Sequence, residues 1–178
     1  MTDSKPEVWT IGHSTRAIGE FIHALESFRI TMLIDVRSFP GSRRHPQYGS
    51  AKLSTSLAAA EIKYEHVLEL GGRRRARRDS PNVAWRHEAF RGYADYMETE
   101  SFQRGIDRLL EFARSQRTAI MCAEAVWWRC HRGLISDYLK VKGIEVVHII
   151  DANHSQSHPF TSAARVKDGE LSYRGLLA

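Results

Sequence analysis

Hydrophobic residues follow two different spacings along this chain, and the two spacings alternate. Short apolar runs predict strands, which cover residues 8–11, 32–36, 64–68, 119–121 and 146–150. Longer segments with an apolar residue every three or four positions predict helices, which cover 18–28, 51–60, 87–97, 101–115 and 132–142. The sequence therefore predicts strands and helices in alternation.

This alternation is typical of an α/β fold with a mostly parallel sheet flanked by helices. We predict a single domain over residues 1–178, with a core at about 8–150. The last segment, 151–178, is more polar, and its Asp168–Gly169 pair predicts a small hairpin. We expect that segment to form a peripheral lid or a packing arm.

Small polar residues predict where several of the helices begin and end. Ser14 or Thr15 is expected to cap the first helix, and Ser101 to cap the fourth. Gly143 is the expected stop of the last helix. The hydroxyl and N–H groups of the 12–15 loop suit a phosphate equally well, because free donors at a helix start bind anions.

The composition narrows the class of partner. A net charge of +5 and a pI near 9.4 favour a nucleic acid or a phosphate-bearing small molecule, although a basic surface also serves solubility alone. No apolar run approaches the roughly 20 residues that span a bilayer, so no membrane partner is expected. Two cysteines make no disulfide framework, which favours a cytoplasmic location. The sequence leaves the oligomeric state open.

Polar residues follow the predicted strands directly. His13, Asp35, Arg37, Cys122 and Glu124 lie at or just after strand ends. Ligands of parallel sheets bind outside the carboxyl ends of the strands, so we expect these residues to converge on one rim.

Two carboxylates among them suggest hydrolytic or glycosidic-bond chemistry. Asp35 and Glu124 would act as general base and charge stabiliser, with His13 as their partner. The alternative role for Asp35 is a structural ion pair with Arg37. No dinucleotide-binding fingerprint is present, and no cofactor is predicted.

Basic and polar side chains elsewhere are candidates for substrate binding. Those near the strand ends are Arg37, Arg129, His131 and Arg132, with Ser14 and Thr15. Those in the two basic loops are Arg43, Arg44, Tyr48, Arg73 and Arg74. Five arginines within 73–78 suggest nucleic-acid contact, and a solvated surface loop is the alternative.

The segment 118–132 holds both cysteines. Cys130 is beside His131 at a predicted helix start, where a thiol ionises readily, so it is a candidate nucleophile. Cys122 ends a buried strand and is expected to be an inert small hydrophobe. A zinc set of Cys122, Cys130, His131 and His148 has no compact spacing, and adjacent residues on a helix point apart. No metal site is therefore predicted.

Several motifs in order resemble the domain-of-unknown-function 488 family over residues 8–150. The motifs are TIGHSTR at 10–16, LIDVRSFPGSR at 33–43, FRGYAD at 90–95, MCAE at 121–124 and CHR at 130–132. This resemblance implies a fold and carries no settled activity.

A second resemblance is to rhodanese-like sulfurtransferases. Residues 33–37 look like their early strand, and the strand, Cys122, loop and helix look like their active-site loop. The resemblance implies Rossmann-like or rhodanese-like layering and a thiol enzyme, either a sulfurtransferase or a phosphatase. Glu124, Trp127 and Trp128 depart from the small-residue loop of that family and disfavour a persulfide anion.

Three hypotheses result. The first is an enzyme that acts on a nucleic acid or nucleotide through its carboxylates. The second is a thiol enzyme that uses a cysteine. The third is a non-catalytic nucleic-acid-binding module.

Overall fold

A six-stranded sheet forms the centre of the computed structural model, which describes residues 5–175. Its strands are β1 (Glu7–Gly12), β2 (Met32–Asp35), β3 (Lys63–His66), β4 (Thr118–Cys122), β5 (Glu145–Ile149) and β6 (Ser155–Ser157). Their order is β3-β2-β4-β1-β5-β6. The first five are parallel, and β6 pairs antiparallel with β5 at the edge. The mixed α/β class with a mostly parallel sheet is therefore confirmed.

Five helices cover the two faces of the sheet. They are α1 (Ile18–Ser27), α2 (Ser50–Ala59), α3 (Glu88–Tyr96), α4 (Glu100–Ser115) and α5 (Arg132–Val141). The apolar faces of α1 and α2 pack on one side with Leu33 and Met121. Those of α3, α4 and α5 pack on the other side with Ile34 and Ile120. Both faces are covered, which explains why the central strands are almost entirely apolar.

Successive residues of each strand alternate between these two layers. Met121 packs among the residues of α1 and α2, and the next residue, Cys122, packs among those of α3, α4 and α5. Val36, just past the end of β2, lies in the same layer as Cys122. Chemistry-bearing residues at the strand ends are therefore divided between two faces.

The predicted elements differ from the structure mainly at their ends. Thr99, and not Ser101, caps α4 by accepting from the N–H of Phe102. The predicted cap of α1 at Ser14 or Thr15 is wrong, because Ala17 occupies the N-cap position without a side-chain bond. Gly143 follows α5 with a φ of +79°, a conformation that favours glycine.

The polar C-terminal segment is more integrated than expected. The predicted hairpin is present as β7 (Arg165–Lys167) and β8 (Glu170–Ser172), and β6 is a strand that the polar pattern did not indicate. His158, Thr161 and Tyr173 from this segment are buried. A purely peripheral lid is therefore the wrong description, because the segment supplies interior residues.

Within residues 5–175, no helix combines the length and the apolar character needed to cross a membrane.

Candidate functional site

A cleft of about 560 Å³ opens at the carboxyl ends of β2 and β4. The chain leaves β2 toward β3 on one side and leaves β4 toward β5 on the other. Such a divergence between adjacent parallel strands is where ligands bind in open α/β sheets. Residues at or just after the ends of both strands line the cleft, among them Arg37, Phe39, Cys122 and Glu124.

Three reactive side chains meet at the floor of the cleft. The Nδ1 atom of His131 lies 3.9 Å from the Sγ atom of Cys122 and 3.7 Å from the Sγ atom of Cys130. The three atoms all lie within 4.8 Å of one another. We call Cys122, Cys130 and His131 the thiol cluster. The sequence predicts an inert Cys122, but in the structure its sulfur atom lies close to His131 and Cys130.

The His131 ring is oriented by a backbone acceptor. Its Nε2 atom lies 2.8 Å from the carbonyl oxygen of Val36, so Nε2 carries the proton and donates. In the neutral tautomer that this bond allows, Nδ1 is the unprotonated nitrogen, and it faces both sulfur atoms. A Cβ at Gly72 would come within 2.9 Å of this Nδ1, so the close approach of the backbone at residue 72 to the His131 ring needs glycine.

The Arg132 guanidinium is buried directly behind the thiol cluster. Its side chain is 1% exposed, and its Nε and backbone N both donate to the Sγ atom of Cys130 at 3.4 Å. Nη1 donates to Thr10 Oγ1 at 3.1 Å, and Nη2 to the carbonyl oxygen of Glu124 at 2.7 Å. Among residues 5–175, no carboxylate oxygen lies within 4.0 Å of this guanidinium.

The two cysteines are driven toward opposite protonation states. Burial alone favours the neutral thiol of Cys130, but the hydrogen bond with Cys122 and the charge of Arg132, together with His131, hold the pKa of Cys130 well below its ordinary value. The hydrogen bond with Cys130, followed by burial, raises the pKa of Cys122 well above its ordinary value. These opposite shifts favour a thiolate at Cys130 and a thiol at Cys122.

The thiol cluster has the donor types of three-ligand zinc sites and could hold a metal ion. The expectation that Cys130 and His131 point apart is wrong, because Cys130 has an extended backbone (φ −136°) before α5 begins. His148 is not part of the cluster, since its ring contacts Thr10 and His158. A divalent metal needs both cysteines ionised and adds charge beside buried Arg132. Without a metal, a single thiolate balances the charge of Arg132. This charge balance favours the metal-free state of Cys122 and Cys130.

The walls of the cleft combine aromatic rings with positive charge. Phe90 and Tyr93 line one side, and Phe39 stands 68% exposed at the mouth. The Arg73 guanidinium lies 5.6 Å from the centre of the Phe39 ring, and Arg129 is an exposed cation of the same cleft. The cleft therefore offers flat apolar surface beside exposed guanidinium groups.

Asp35 and His13 lie on the other side of the sheet from the thiol cluster. Asp35 is fully buried, pairs with Arg37 at 2.7 Å and accepts from the Tyr64 hydroxyl at 2.6 Å. The His13 ring stacks on Tyr48 at 4.1 Å, and burial, as the largest cause, lowers its pKa to about 4. The predicted convergence on one rim is therefore only partly correct, because strand alternation places these two residues among the neighbours of α1 and α2.

The 12–15 loop uses its backbone donors internally. The N–H groups of His13 and Ser14 donate to the carbonyl oxygens of Cys122 and Ala123 at 2.9 Å. Thr15 is exposed next to Ser14. These two N–H groups are occupied by the 122–123 backbone, so they are not free to bind a phosphate.

The predicted binding residues of the two basic loops also lie in different places, and only some of them line the cleft. Arg43 and Arg44 are exposed and do not line the cleft. Tyr48 is buried, with its hydroxyl donating to the carbonyl oxygen of Arg16. Arg74 lies over the Tyr96 ring at 3.7 Å and is held within the fold. Of the predicted site residues, those that line the cleft are Arg37, Arg73, Glu124, Arg129, Cys130 and His131.

Sequence reasoning missed the aromatic wall and the role of Cys122. The helical spacing of Phe90 and Tyr93 indicates only packing in the core, yet both line the cleft as well. Strand alternation could have placed Cys122 opposite Met121 and beside α5. No sequence signal indicated that Thr10 contacts Arg132.

The fold and the thiol cluster define an α/β protein with a cysteine–histidine centre at the switch point of its sheet. The chain belongs to the family of the domain of unknown function DUF488, whose model matches residues 17–139. The resemblance seen in the sequence motifs is thereby confirmed. No curated protein matches the chain, and no solved structure matches it either.

Proposed function

We propose that this protein is a thiol enzyme in which the Cys130 thiolate attacks a phosphate ester that carries a planar ring, as in a nucleotide. The observation that carries the proposal is the buried Arg132 guanidinium, which donates through Nε and the backbone N to Cys130 Sγ. A buried guanidinium needs an anion, and Cys130 is the ionisable group that it contacts.

The carboxylate mechanism has less support. It needs Asp35 near the reacting bond, whereas Asp35 is fully buried and held by Arg37 and Tyr64. Glu124 is the only one of the two proposed carboxylates that lines the cleft. The geometry therefore favours the thiol hypothesis over the paired-carboxylate hypothesis.

The first step is displacement at phosphorus. Cys130 Sγ forms a bond to phosphorus, the phosphorus–oxygen bond of the ester breaks, and the Cys122 thiol gives its proton to the leaving oxygen. The raised pKa of Cys122 keeps that proton available, and the lowered pKa of Cys130 keeps the nucleophile ionised.

The second step is hydrolysis of the thiophosphate intermediate. His131 Nδ1 removes a proton from water, the resulting oxygen bonds to phosphorus, and the sulfur–phosphorus bond breaks to return the electron pair to Cys130. The proton on His131 then passes to Cys122, whose sulfur lies 3.9 Å from Nδ1. The cycle restores the starting state without an external acid or base.

The substrate class is supported by the walls of the cleft. Aromatic side chains such as Phe39 and Phe90 stack with planar rings, and nucleobases have such rings. Arg73 and Arg129 supply charge-assisted hydrogen bonds that suit phosphate oxygens. A phosphorylated ring compound can stack its ring on the aromatic side chains and bind its phosphate to the arginines.

Release of inorganic phosphate from nucleoside monophosphates and an aryl phosphate tests the proposal. We expect turnover by the native protein and a loss on the order of 10³-fold or more in Cys130→Ser, because the hydroxyl is a far weaker nucleophile. Arg129→Gln should raise KM, whereas the matched change Arg43→Gln, in an exposed loop outside the cleft, should not.

Iodoacetamide labelling tests the thiolate without a known substrate. At about pH 6, Cys130 should react and Cys122 should remain mostly unmodified, as read by peptide mass spectrometry. Equal, slow labelling of both cysteines would contradict the proposal. So would one zinc ion per chain that leaves both thiols unreactive until a chelator removes it.

A further inference from the structure

A continuous chain of buried hydrogen bonds leads away from Arg132 on the side opposite Cys130. Arg132 Nη1 lies 3.1 Å from Thr10 Oγ1, which lies 2.6 Å from His148 Nδ1. His148 Nε2 lies 2.8 Å from His158 Nδ1, and His158 Nε2 lies 2.8 Å from Asp137 Oδ1. All of these side chains are buried.

The donor at one end of this chain and the acceptor at the other favour one direction of hydrogen bonding. Arginine can only donate, so Thr10 accepts from Arg132 and gives its own proton to His148 Nδ1. An ionised carboxylate can only accept, so His158 Nε2–H donates to Asp137. When His158 is neutral, His148 Nε2–H donates to His158 Nδ1. In that state every donor points from Arg132 toward Asp137, and both imidazole rings are in the Nε2–H form.

The surroundings hold the two rings in this arrangement. The Trp127 ring stacks on His148 at 4.6 Å with an interplanar angle of 5°, and it meets His158 edge-on at 5.0 Å. Burial, followed by the charges of His158 and Arg132, lowers the pKa of His148 to about 2, so this ring stays neutral. His148 is therefore the neutral, tightly packed member of the chain.

Asp137 is the anchor of the chain. Its carboxylate also accepts from the backbone N and hydroxyl of Thr161 at 2.9 and 2.5 Å, and from the Tyr173 hydroxyl at 2.7 Å. Four donors hold a carboxylate that has no guanidinium or ammonium partner within 4.0 Å among residues 5–175.

We infer that Thr10, His148, His158 and Asp137 form a positioning relay that holds the Arg132 guanidinium against the sulfur atom of Cys130. The inference rests on the proposed function, since it explains how the nucleophile of that function is maintained. The relay residues do not line the cleft, so they are positioning residues and not catalytic ones. A hydrogen-bonded network of this kind fixes the direction of each member more firmly than isolated bonds do.

Other groups also face Cys130, and the test must separate their effects. They are Cys122 at the end of β4, His131 before α5, Tyr93 from α3 and Arg132 itself. The relay reaches Cys130 only through Arg132. A change at Thr10 therefore alters the relay while it leaves the other three groups in place.

The first experiment measures the rate of Cys130 alkylation by iodoacetamide against pH in the full chain. In Thr10→Val, which has nearly the same shape and no hydroxyl, the midpoint should rise by about one unit, which lowers the rate roughly tenfold at pH values well below the native midpoint. Thr10→Ser keeps the hydroxyl and should stay within about twofold of the native rate. A folded Thr10→Val protein with the native midpoint would overturn the relay.

A second measurement uses the native protein, so it does not depend on whether a variant folds. Long-range ¹⁵N–¹H spectra should show His148 as a neutral ring protonated at Nε2 over about pH 5 to 8. A charged His148, or one protonated at Nδ1, would overturn the relay even if the thiolate is real. A native Cys130 with an ordinary midpoint near about 8.5 would instead overturn the proposed function.

Discussion

The Nε atom of Arg132 lies 3.4 Å from the Sγ atom of Cys130, and the backbone N of Arg132 lies at the same distance from that sulfur. Both donors belong to the residue that begins α5, so the start of that helix fixes the geometry. The helix start and the guanidinium act on one sulfur atom, and both favour its anionic form.

Arg132→Lys should lower the reactivity of Cys130 although it preserves the charge. Lysine lacks the planar fork that reaches Cys130, Thr10 and the Glu124 carbonyl at once. We expect alkylation of Cys130 at about pH 6 to fall about tenfold or more. Arg129→Lys, a change at an exposed neighbouring arginine, is the matched control and should leave the rate unchanged.

Cys130→Ala should destabilise the fold more than Cys122→Ala does. The first change leaves the buried Arg132 charge without its anion, which costs about 3–5 kcal/mol of unfolding free energy. The second removes a buried neutral thiol and should cost about 1–2 kcal/mol. Urea unfolding of both variants measures the difference. Equal losses would show that Cys130 is a neutral thiol in the folded state.

Much of the architecture follows from local spacing, because each strand and helix of the core buries one recognisable apolar pattern. The β-prone run at the start and the helical offsets before Ser27 are set by near neighbours, and the structure contains both elements. Capping at Thr99 in place of Ser101 is a shift of two residues, within the uncertainty of any local pattern.

The site was harder to predict because it depends on which face each strand end presents. Asp35 and Cys122 both end strands, yet they lie on opposite sides of the sheet. The relay could not be predicted from the sequence for a different reason. Thr10, Asp137, His148 and His158 come from two strands, a helix and the C-terminal segment, and only the tertiary fold brings them into contact.

Gly12→Ala should damage both the fold and the thiol cluster. A Cβ at Gly12 would lie 1.8 Å from the carbonyl oxygen of Glu124 and 2.9 Å from Arg132 Nη2, so the 122–125 loop must move. We expect a loss of about 2–4 kcal/mol in unfolding free energy and a slower Cys130 alkylation. Gly19→Ala is the matched control, since nothing lies within 4 Å of its Cβ. That helix position should become more stable by about 0.5–1 kcal/mol.

The free energy of unfolding should fall as the pH drops below about 6.5. His13 and His148 have pKa values lowered to about 4 and about 2, mainly by burial. Below the unfolded pKa, the unfolded chain binds protons that the folded protein does not, so stability is lost toward acid. The loss spans 6.5 to about 4 for His13 and continues toward about 2 for His148.

At about pH 5 each histidine contributes a loss of about 2 kcal/mol. Urea unfolding at pH values between about 7 and 5 measures the slope. His154→Gln is the control, because that side chain is 73% exposed and its removal should leave the slope unchanged. A flat stability profile in the native protein would contradict the buried neutral state of both rings.

Asp35→Asn separates the carboxylate mechanism from the thiol mechanism. Asp35 neutralises the buried Arg37 and accepts from the Tyr64 hydroxyl, so its loss should cost about 3–5 kcal/mol of unfolding free energy. Because Asp35 lies across the sheet from the thiol cluster, the remaining folded protein should alkylate Cys130 at the native rate. Its turnover per folded molecule should also persist, whereas a catalytic Asp35 predicts loss of turnover with little change in stability. Tyr64→Phe removes one hydrogen bond from the same carboxylate and should reproduce the stability effect in weaker form, by about 1 kcal/mol.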